Sequence, residues 1–179
     1  PAIGTQATDL GILREARLPF VLYTRNVPNF PADYVGSQNR KGTQMATEFL
    51  LQRGHRRIAF IGGLPTSQTR KERFDGYRSA LKKANVSLSD VVNLPCETSI
   101  KGGYESVQYA LQLEPRPTAA VCYNDVVAFG VILGLWASRI APGKEFPVIG
   151  FDNIADAALW SPPLTTLSVP PALVGQEAV

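Results

Sequence analysis

The stretch VCYNDVVAFGVILGLW, from Val121 to Trp136, decides the fold class of this chain. A short apolar run ends at Asn124-Asp125, and a helix-length segment without charge follows at once. The run has the composition of a buried strand end, and Asp125 is well placed to cap the helix. A helix that is apolar nearly all round must be covered on both sides. We predict that its own sheet covers one side and a second subunit the other; the alternative is a core helix with no partner.

Apolar strand patterns alternate with helical periodicity on both sides of this stretch. Such alternation predicts an α/β fold with parallel strands, right-handed crossovers and helices on both faces of the sheet. The predicted strands are 20–23, 34–36, 58–61, 91–94, 119–122 and 147–151, and the predicted helices are 9–17, 39–53, 70–84, 103–113 and 125–136.

The alternation also divides the chain. Residues 1–36 are too few for a lobe and are predicted to be the remainder of an amino-terminal lobe, whereas 37–152 form a carboxy-terminal lobe. At 153–170 the paired prolines Pro162-Pro163 exclude helix, and we expect a crossover with a strand returning to the amino-terminal lobe. Residues 171–179 begin a final, truncated segment. Pro1, which replaces an initiator Met, suggests that the numbering starts inside a longer chain.

Composition excludes several classes of protein. Only 18% of the 179 residues are charged, and with 45% hydrophobic residues this argues against disorder. The net charge is +3, and no long basic stripe suits this segment for gripping DNA by itself. No apolar run reaches membrane-spanning length. Cys96, Cys122 and the single His55 form no ligand cluster, so we expect two free thiols and neither a metal nor another cofactor.

A candidate ligand site lies at the carboxyl ends of the predicted strands, where open α/β sheets bind their ligands. Gly62-Gly63, Tyr123-Asn124-Asp125 and Phe151-Asp152-Asn153 occupy those ends. Arg73 falls in the first turns of the following helix, where a cation opposes the helix dipole. A polar ligand, or a carboxylate such as Asp152, would explain its position; the alternative is a solvated arginine on the polar face.

From about Val35 onward, the assembled pattern resembles the effector-binding core of bacterial transcription regulators of the LacI/GalR family. The motifs that carry the resemblance keep the family's order and spacing, although Gln38-Asn39 stands where the family usually has Asp-Asn. These motifs are NRKG with Ala46, RGHRRIAFIGG, RFDGY, NDVVAFG, IGFDN and PPLTT, which begin at Asn39, Arg53, Arg73, Asn124, Ile149 and Pro162.

The resemblance implies two periplasmic-binding-protein-like lobes with an effector between them, the first lobe being incomplete in this chain. It also implies a helix-turn-helix headpiece, absent from this chain, that binds operator DNA. Thr98 stands where many members stack an aromatic ring on the ligand, so a small polyhydroxylated effector is favoured over a purine or aryl group. The positions matching the family's effector contacts are Arg73, Asn124 and Asp152, and by looser matches Thr24, Arg25 and Thr69.

The resemblance also implies a homodimer. The family places its subunit contact on the helix after Asp125 and on the segment 155–160, and both are rich in apolar side chains here. We therefore predict an interface with four residues at or near its centre, namely Val127, Ile132, Leu159 and Trp160.

These observations favour the ligand-sensing core of a cytoplasmic transcriptional repressor, and not an enzyme. An effector with different affinities for the open and closed lobes would control operator binding allosterically. The expected effector is a sugar or sugar derivative, and Arg25 and Arg73 would also accept an acidic or phosphorylated sugar. The alternative is a periplasmic sugar-binding protein of a transporter, which shares the lobes but not the dimer. A small α/β enzyme would need a nucleophile–base pair, which the sequence does not offer.

Overall fold

The computed structural model describes Thr5, residues 7–27 and residues 29–177, and it confirms the α/β fold class. The strands are β1 (Val21–Tyr23), β2 (Asp33–Val35), β3 (Ile58–Ile61), β4 (Val92–Leu94), β5 (Ala119–Cys122), β6 (Val148–Asp152) and β7 (Thr165–Ser168). The α-helices are α1 (Gly11–Glu15), α2 (Asn39–Gln52), α3 (Gln68–Lys83), α4 (Ile100–Ala110), α5 (Asp125–Ala137) and α6 (Pro171–Gln176). Short 3₁₀ helices cover Ala7–Leu10, Leu88–Asp90 and Ala155–Leu159. Within these ranges no helix has the length and hydropathy needed to cross a membrane.

The strands form two parallel sheets. β1 pairs with β2, and the other five strands have the order β4-β3-β5-β6-β7. After β3 the chain adds β4 on one side and then β5 on the other, so the strand order reverses between β3 and β5. In open α/β sheets a crevice for ligands forms at the carboxyl ends of the strands at such a reversal.

Two hydrophobic cores lie on opposite faces of the five-stranded sheet. Successive side chains of a strand point to opposite faces. Accordingly Ile58 and Phe60 of β3 pack with α2 and α3, whereas Ala59 and Ile61 pack with α4 and α5. All four residues of β3 are buried, as expected for a parallel strand covered by helices on both faces.

Helix α5 is covered on both sides by its own lobe. A Cβ atom added at Gly103 of α4 would overlap the Val127 carbonyl oxygen, and one added at Gly130 of α5 would overlap the Ile100 carbonyl oxygen. The two helix backbones therefore touch. Val127 and Ile132, 0% and 2% exposed, lie inside the resulting core. The prediction that these two residues lie at a subunit interface is wrong, because α4 covers the second face of α5.

The segment after Pro162-Pro163 does not return to the amino-terminal sheet. β7 pairs with β6 in the register Ile149–Thr165 to Asp152–Ser168 and forms an edge of the five-stranded sheet. Leu164, 8% exposed, packs into the same core as α4 and α5 and holds this segment against β6. The predicted strand exists, and its predicted place in the other lobe is wrong.

Three helices of the larger lobe, which contains the five-stranded sheet, begin with a side-chain cap. Ser67 accepts a hydrogen bond from the Arg70 amide (3.3 Å) and Ser99 accepts one from the Gly102 amide (3.0 Å). For α5 the cap is Asn124, whose Oδ1 accepts from the Val127 amide at 3.1 Å. The prediction that Asp125 caps this helix is therefore wrong by one position: Asp125 is the first helical residue, and its side chain points into the interior.

Candidate functional site

A cavity of about 600 Å³ opens at the carboxyl ends of β1, β5, β6 and β7. The prediction that Arg73, Asn124 and Asp152 converge on one cleft is confirmed. The cavity wall includes all seven residues proposed from the sequence as effector contacts, namely Thr24, Arg25, Thr69, Arg73, Thr98, Asn124 and Asp152. That these residues bind an effector stays a prediction.

Each of these residues is positioned by the end of a regular element. Thr24 and Arg25 follow β1, Thr69 and Arg73 lie in the first turns of α3, and Thr98 precedes the cap of α4. Asn124 is the cap of α5, and Asp152 is the last residue of β6. Because the strands are parallel and each helix begins beside a strand end, the fold brings these side chains to one edge of the sheet.

Arg73 is the most tightly held of the group. It is 5% exposed, and its Nε donates to Asn39 Oδ1 at 2.9 Å. Nη1 donates to the Tyr123 carbonyl, and Nη2 donates to Asp152 Oδ1 at 3.1 Å. The guanidinium carbon lies 3.6 Å from the centroid of the Phe151 ring. These three bonds use three of the five guanidinium N–H groups. The other two N–H groups make no hydrogen bond to the described residues, so they are available to a ligand.

Burial shifts the pKa of both Arg73 and Asp152. Burial lowers the pKa of Arg73, and the nearby Asp152 carboxylate opposes part of this change. Burial raises the pKa of Asp152, while Arg73 and, more weakly, Arg25 act to lower it. The cavity wall thus holds two arginines and one aspartate in a partly dry environment, where hydrogen bonds to a polar ligand are strengthened.

Backbone strain occurs in the cavity wall. Thr24, Asp152 and Asn153 have φ angles of 62°, 109° and 53°, in the region that favours glycine. Asparagine tolerates this region, but a β-branched threonine is rarely found there. Strained residues of this kind cluster at functional sites, where the surrounding structure holds them in place.

Asp125 supplies part of the support for Asp152. Its side chain is buried, accepts a hydrogen bond from Thr166 Oγ1 at 2.5 Å and accepts another from the Ile154 amide at 2.9 Å. It therefore ties the loop after β6 to the start of α5 and to β7. Burial raises the pKa of Asp125, and these hydrogen bonds act in the opposite direction. Asp125 supports the site without lining the cavity.

Several residues of the cavity wall were not predicted. Ser168 is the last residue of β7, and the error over the sheet to which β7 belongs hid its position. Ser37 lies in the segment between β2 and α2, and no sequence motif there indicates a binding site. Val174 of α6 and Ile154 add apolar surface. The rule that ligands sit at strand ends would have found Ser168 if the sheet order had been known.

The wall chemistry suits a small polyhydroxylated molecule. Threonine and serine hydroxyls, two side-chain amides, two guanidinium groups and one carboxylate offer both donors and acceptors, and Tyr23, Tyr123 and Ile154 offer apolar surface. The described residues that line the cavity include no His, Lys or Cys, so they contain no familiar nucleophile–base pair. Among the described residues no group of three or more His, Cys, Asp or Glu side chains could hold a metal ion.

The other two residues predicted for the subunit interface, Leu159 and Trp160, lie on the surface of the larger lobe. Leu159 is 80% exposed, at the end of the 3₁₀ helix Ala155–Leu159. Trp160 is half-buried, with its ring stacked on Phe129 at 4.6 Å and on Trp136 at 5.9 Å between centroids. Trp136 is itself 41% exposed. These side chains form an apolar surface, the Leu159–Trp160–Trp136 surface, and its role in dimerisation stays a prediction.

Comparison with known proteins places this geometry in a family. A family model described as "Periplasmic binding protein-like domain" matches residues 47–179. The HTH-type transcriptional repressor PurR of Vibrio atlanticus (strain LGP32) is 32% identical over 169 residues, which are 92% of this chain and 49% of that protein. The ribose operon repressor of Escherichia coli (strain K12) is 31% identical over 148 residues, which are 83% of this chain and 45% of that protein. The chain thus spans about half the length of these curated relatives.

A solved structure agrees with the sequence comparisons. The LacI family transcriptional regulator from Enterococcus faecium, solved with bound ribose, matches with a TM-score of 0.85 and 27% identity, covering 94% of this chain and 62% of that one. The chain therefore belongs to the periplasmic binding protein-like domain family, in the form of the LacI/GalR effector-binding core.

Proposed function

We propose that this chain is the ligand-sensing part of a cytoplasmic transcriptional repressor that binds a sugar or sugar derivative in the cavity. The observation that carries the proposal is the convergence of Arg73, Asp152 and Asn124 at the strand-order reversal. The relatives that are repressors, one of them named for a ribose operon, and the similar regulator with bound ribose support it.

In this proposal each polar group has a defined part. The free N–H groups of Arg73 donate to ring hydroxyls, and the Asp152 carboxylate accepts from them. The Oδ1 atom of Asn124 uses one of its two lone pairs as the cap of α5, so its second lone pair and its amide nitrogen serve a ligand. Arg25 adds a second cation, which also suits an acidic or phosphorylated sugar.

Regulation of operator binding requires the complete regulator. An effector that prefers one arrangement of the two lobes shifts the population of that arrangement. In a two-fold dimer such a shift changes the spacing of two headpieces, and therefore the affinity for paired operator half-sites. We propose a homodimer that uses the Leu159–Trp160–Trp136 surface, and no catalytic turnover.

A thermal-shift screen tests the effector class. A ligand that binds only the folded state raises the melting temperature by mass action, and at a concentration of about 100 Kd it adds about 2.7 kcal/mol of stability. We expect at least one pentose or hexose, or a phosphorylated form of one, to raise the melting temperature, and nucleobases to leave it unchanged. A shift with a purine and none with any carbohydrate would contradict the sugar assignment.

The alternative of a periplasmic sugar-binding protein predicts the same shift, so a second measurement is needed. Fluorescence anisotropy of operator DNA with the complete protein separates the two. We expect DNA binding whose affinity changes when the sugar identified in the screen is added. A complete protein that binds the sugar and shows no sequence-dependent DNA binding would support the transporter alternative instead.

A further inference from the structure

Asn39 is a buried polar side chain whose amide oxygen and amide nitrogen both have hydrogen-bond partners. It is the first residue of α2, is 2% exposed and is not among the described residues that line the cavity. Its Oδ1 accepts from Arg73 Nε at 2.9 Å and from Ser37 Oγ at 3.0 Å, and its Nδ2 donates to Glu72 Oε2 at 2.9 Å. Both lone pairs of the amide oxygen are therefore in use.

The bond to Arg73 determines how the guanidinium is oriented. Asn39 holds Nε, and the Tyr123 carbonyl holds Nη1, so two atoms of the planar group are fixed by contacts within the protein. The third nitrogen, Nη2, then faces Asp152. An arginine side chain is rich in rotamers, and ordering it costs conformational free energy unless partners hold it before the ligand arrives.

Asn39 also lies where the chain passes from one sheet to the other. β2 of the two-stranded sheet ends at Val35, and Asn39 begins α2 of the five-stranded lobe, so Gly36–Gln38 is the covalent link. Ser37 of this link donates to Asn39 and lines the cavity. One amide oxygen thus contacts both the link between the sheets and the arginine of the site.

We propose that Asn39 is a positioning residue of the effector site. It orients the Arg73 guanidinium so that the free N–H groups can reach a ligand in the cavity. Through Ser37 it also connects that arginine to the Gly36–Gln38 link. This inference rests on the proposed function, in which Arg73 contacts the effector. Asn39 acts through Arg73 and makes no contact with the effector itself.

The fold offers a control one turn earlier on α3, where an exposed asparagine, Asn93, contacts a buried arginine. Arg70 Nη2 donates to Asn93 Oδ1 at 2.7 Å, so Asn93 holds a buried arginine that does not line the cavity. Asn39→Ala and Asn93→Ala each remove one asparagine from one arginine. A positioning role predicts different effects of the two variants on Arg73.

The first measurement needs no ligand. Nitrogen-15 labelling of arginine reports exchange of each Nε proton by NMR, and Arg73→Lys assigns the Arg73 signal. We expect Asn39→Ala to speed exchange of the Arg73 Nε proton by about tenfold or more, and Asn93→Ala to leave it unchanged, because a hydrogen-bonded proton exchanges only on opening. An Arg73 Nε proton equally protected in Asn39→Ala would overturn the proposal.

The second measurement is D-ribose affinity by calorimetry, with melting temperature recorded for each variant. We expect Asn39→Ala to weaken binding by about tenfold, the scale of one lost charged hydrogen bond, and Asn93→Ala to leave affinity unchanged. Asn39→Asp alone sets a carboxylate against Glu72. In the double variant Asn39→Asp/Glu72→Gln, the glutamine amide donates to the new carboxylate, so the hydrogen bond between positions 39 and 72 is restored in the opposite direction. We expect D-ribose affinity to recover in this variant.

The Arg73→Lys background separates positioning from a general structural effect. There Asn39→Ala should have no further effect on D-ribose affinity, because the group that it positions is gone. An equal loss in both backgrounds would overturn the proposal. If D-ribose fails to bind the unmutated chain, ribose as effector fails, while the proton-exchange measurement still decides whether Asn39 holds Arg73.

Discussion

The buried guanidinium of Arg73 organises the cavity wall. It contacts Asp152, the Tyr123 carbonyl and Asn39, which belong to three separate parts of the chain. Burial weakens the preference for charge on both Arg73 and Asp152, and their contact at 3.1 Å offsets part of that cost. Removal of either partner leaves the other without its counter-charge, so both side chains are expected to be sensitive to substitution.

Effector affinity should depend on pH through Asp152. Burial raises the pKa of Asp152, so protonation begins at a higher pH than for an exposed aspartate. A protonated carboxyl is a poorer acceptor for sugar hydroxyls, so affinity should be constant near neutral pH and fall as the pH is lowered. Calorimetric titrations over a pH series measure this decrease. Asp152→Asn should bind more weakly at neutral pH and lose the dependence; an unchanged dependence would assign it to another group.

Asp125 should matter for stability. Asp125→Ala removes the acceptor for Thr166 Oγ1 and the Ile154 amide, and a cost of about 1–3 kcal/mol in the free energy of unfolding is expected. The control is Asp156→Ala, an exposed aspartate on the adjacent 3₁₀ helix, with an expected change within about 0.5 kcal/mol. Urea denaturation measures both, and equal effects of the two variants would contradict the supporting role of Asp125.

Much of the site could be predicted from strand ends and motifs, but not how its side chains are connected. Asn124 and Asp152 follow apolar runs, so their approach to one edge of the sheet is a consequence of parallel topology. The respective tasks of Asn124 and Asp125 could not be separated, since either can cap a helix and only the backbone path decides which one does. The contact of Asn39 with Arg73 joins residues 34 positions apart and leaves no local pattern.

Helices α4 and α5 pack with their backbones in close contact. Two glycines, Gly103 and Gly130, allow carbonyl oxygens of the facing helix to approach where a Cβ atom would otherwise lie. This approach buries both faces of α5 within one lobe. It also places the start of α5, with Asn124 and Asp125, beside the cavity.

Gly130→Ala should therefore be destabilising despite the higher helix propensity of alanine. The added methyl group would overlap the Ile100 carbonyl oxygen, and the cost of overpacking is about 1–3 kcal/mol. Gly175→Ala on α6 is the control, because nothing lies within 4 Å of its added Cβ atom and the change should be neutral or slightly stabilising. Thermal or urea unfolding compares the two, and a stable Gly130→Ala variant would contradict the close helix contact.

Most of the elements could be predicted, although α4 lies three residues earlier than expected and α6 was not predicted, whereas their partners could not. β3 and β5 have the predicted bounds, and α5 ends one residue later than expected. The apolar pattern of α5 shows that two faces are covered but does not show by what, and here α4 is the cover. Likewise the extended segment after Pro162-Pro163 was predicted, but its pairing with β6 depends on Leu164 in a core formed by distant residues.

At the scale of the molecule, the chain presents an apolar surface that is not part of the cavity wall. Leu159, Trp160 and Trp136 form this surface, and Leu159 leaves most of its side chain in solvent. Exposed apolar patches of this kind mark association sites. We therefore propose this surface for the second subunit, and not the buried side chains of α5.

Leu159→Asp should weaken dimerisation without unfolding the chain. The side chain is 80% exposed, so the fold loses little, whereas a charge in an apolar interface costs several kcal/mol. Sedimentation velocity at micromolar concentration should show dimers for the unmutated chain and monomers for Leu159→Asp. Leu173→Asp, 53% exposed on α6, is the control and should stay dimeric. A monomeric unmutated chain would contradict the assignment of this surface.

The central claim is that the cavity binds a sugar through Arg73 and Asp152, and calorimetric titration of three variants tests it most directly. With the sugar identified in the thermal-shift screen, Asp152→Ala and Arg73→Ala should each lose about 1.5–3 kcal/mol of binding free energy, the range for a hydrogen bond to a charged group. Asp156→Ala should bind as the unmutated chain does. Sugar affinity that is unchanged in both Asp152→Ala and Arg73→Ala would contradict the claim.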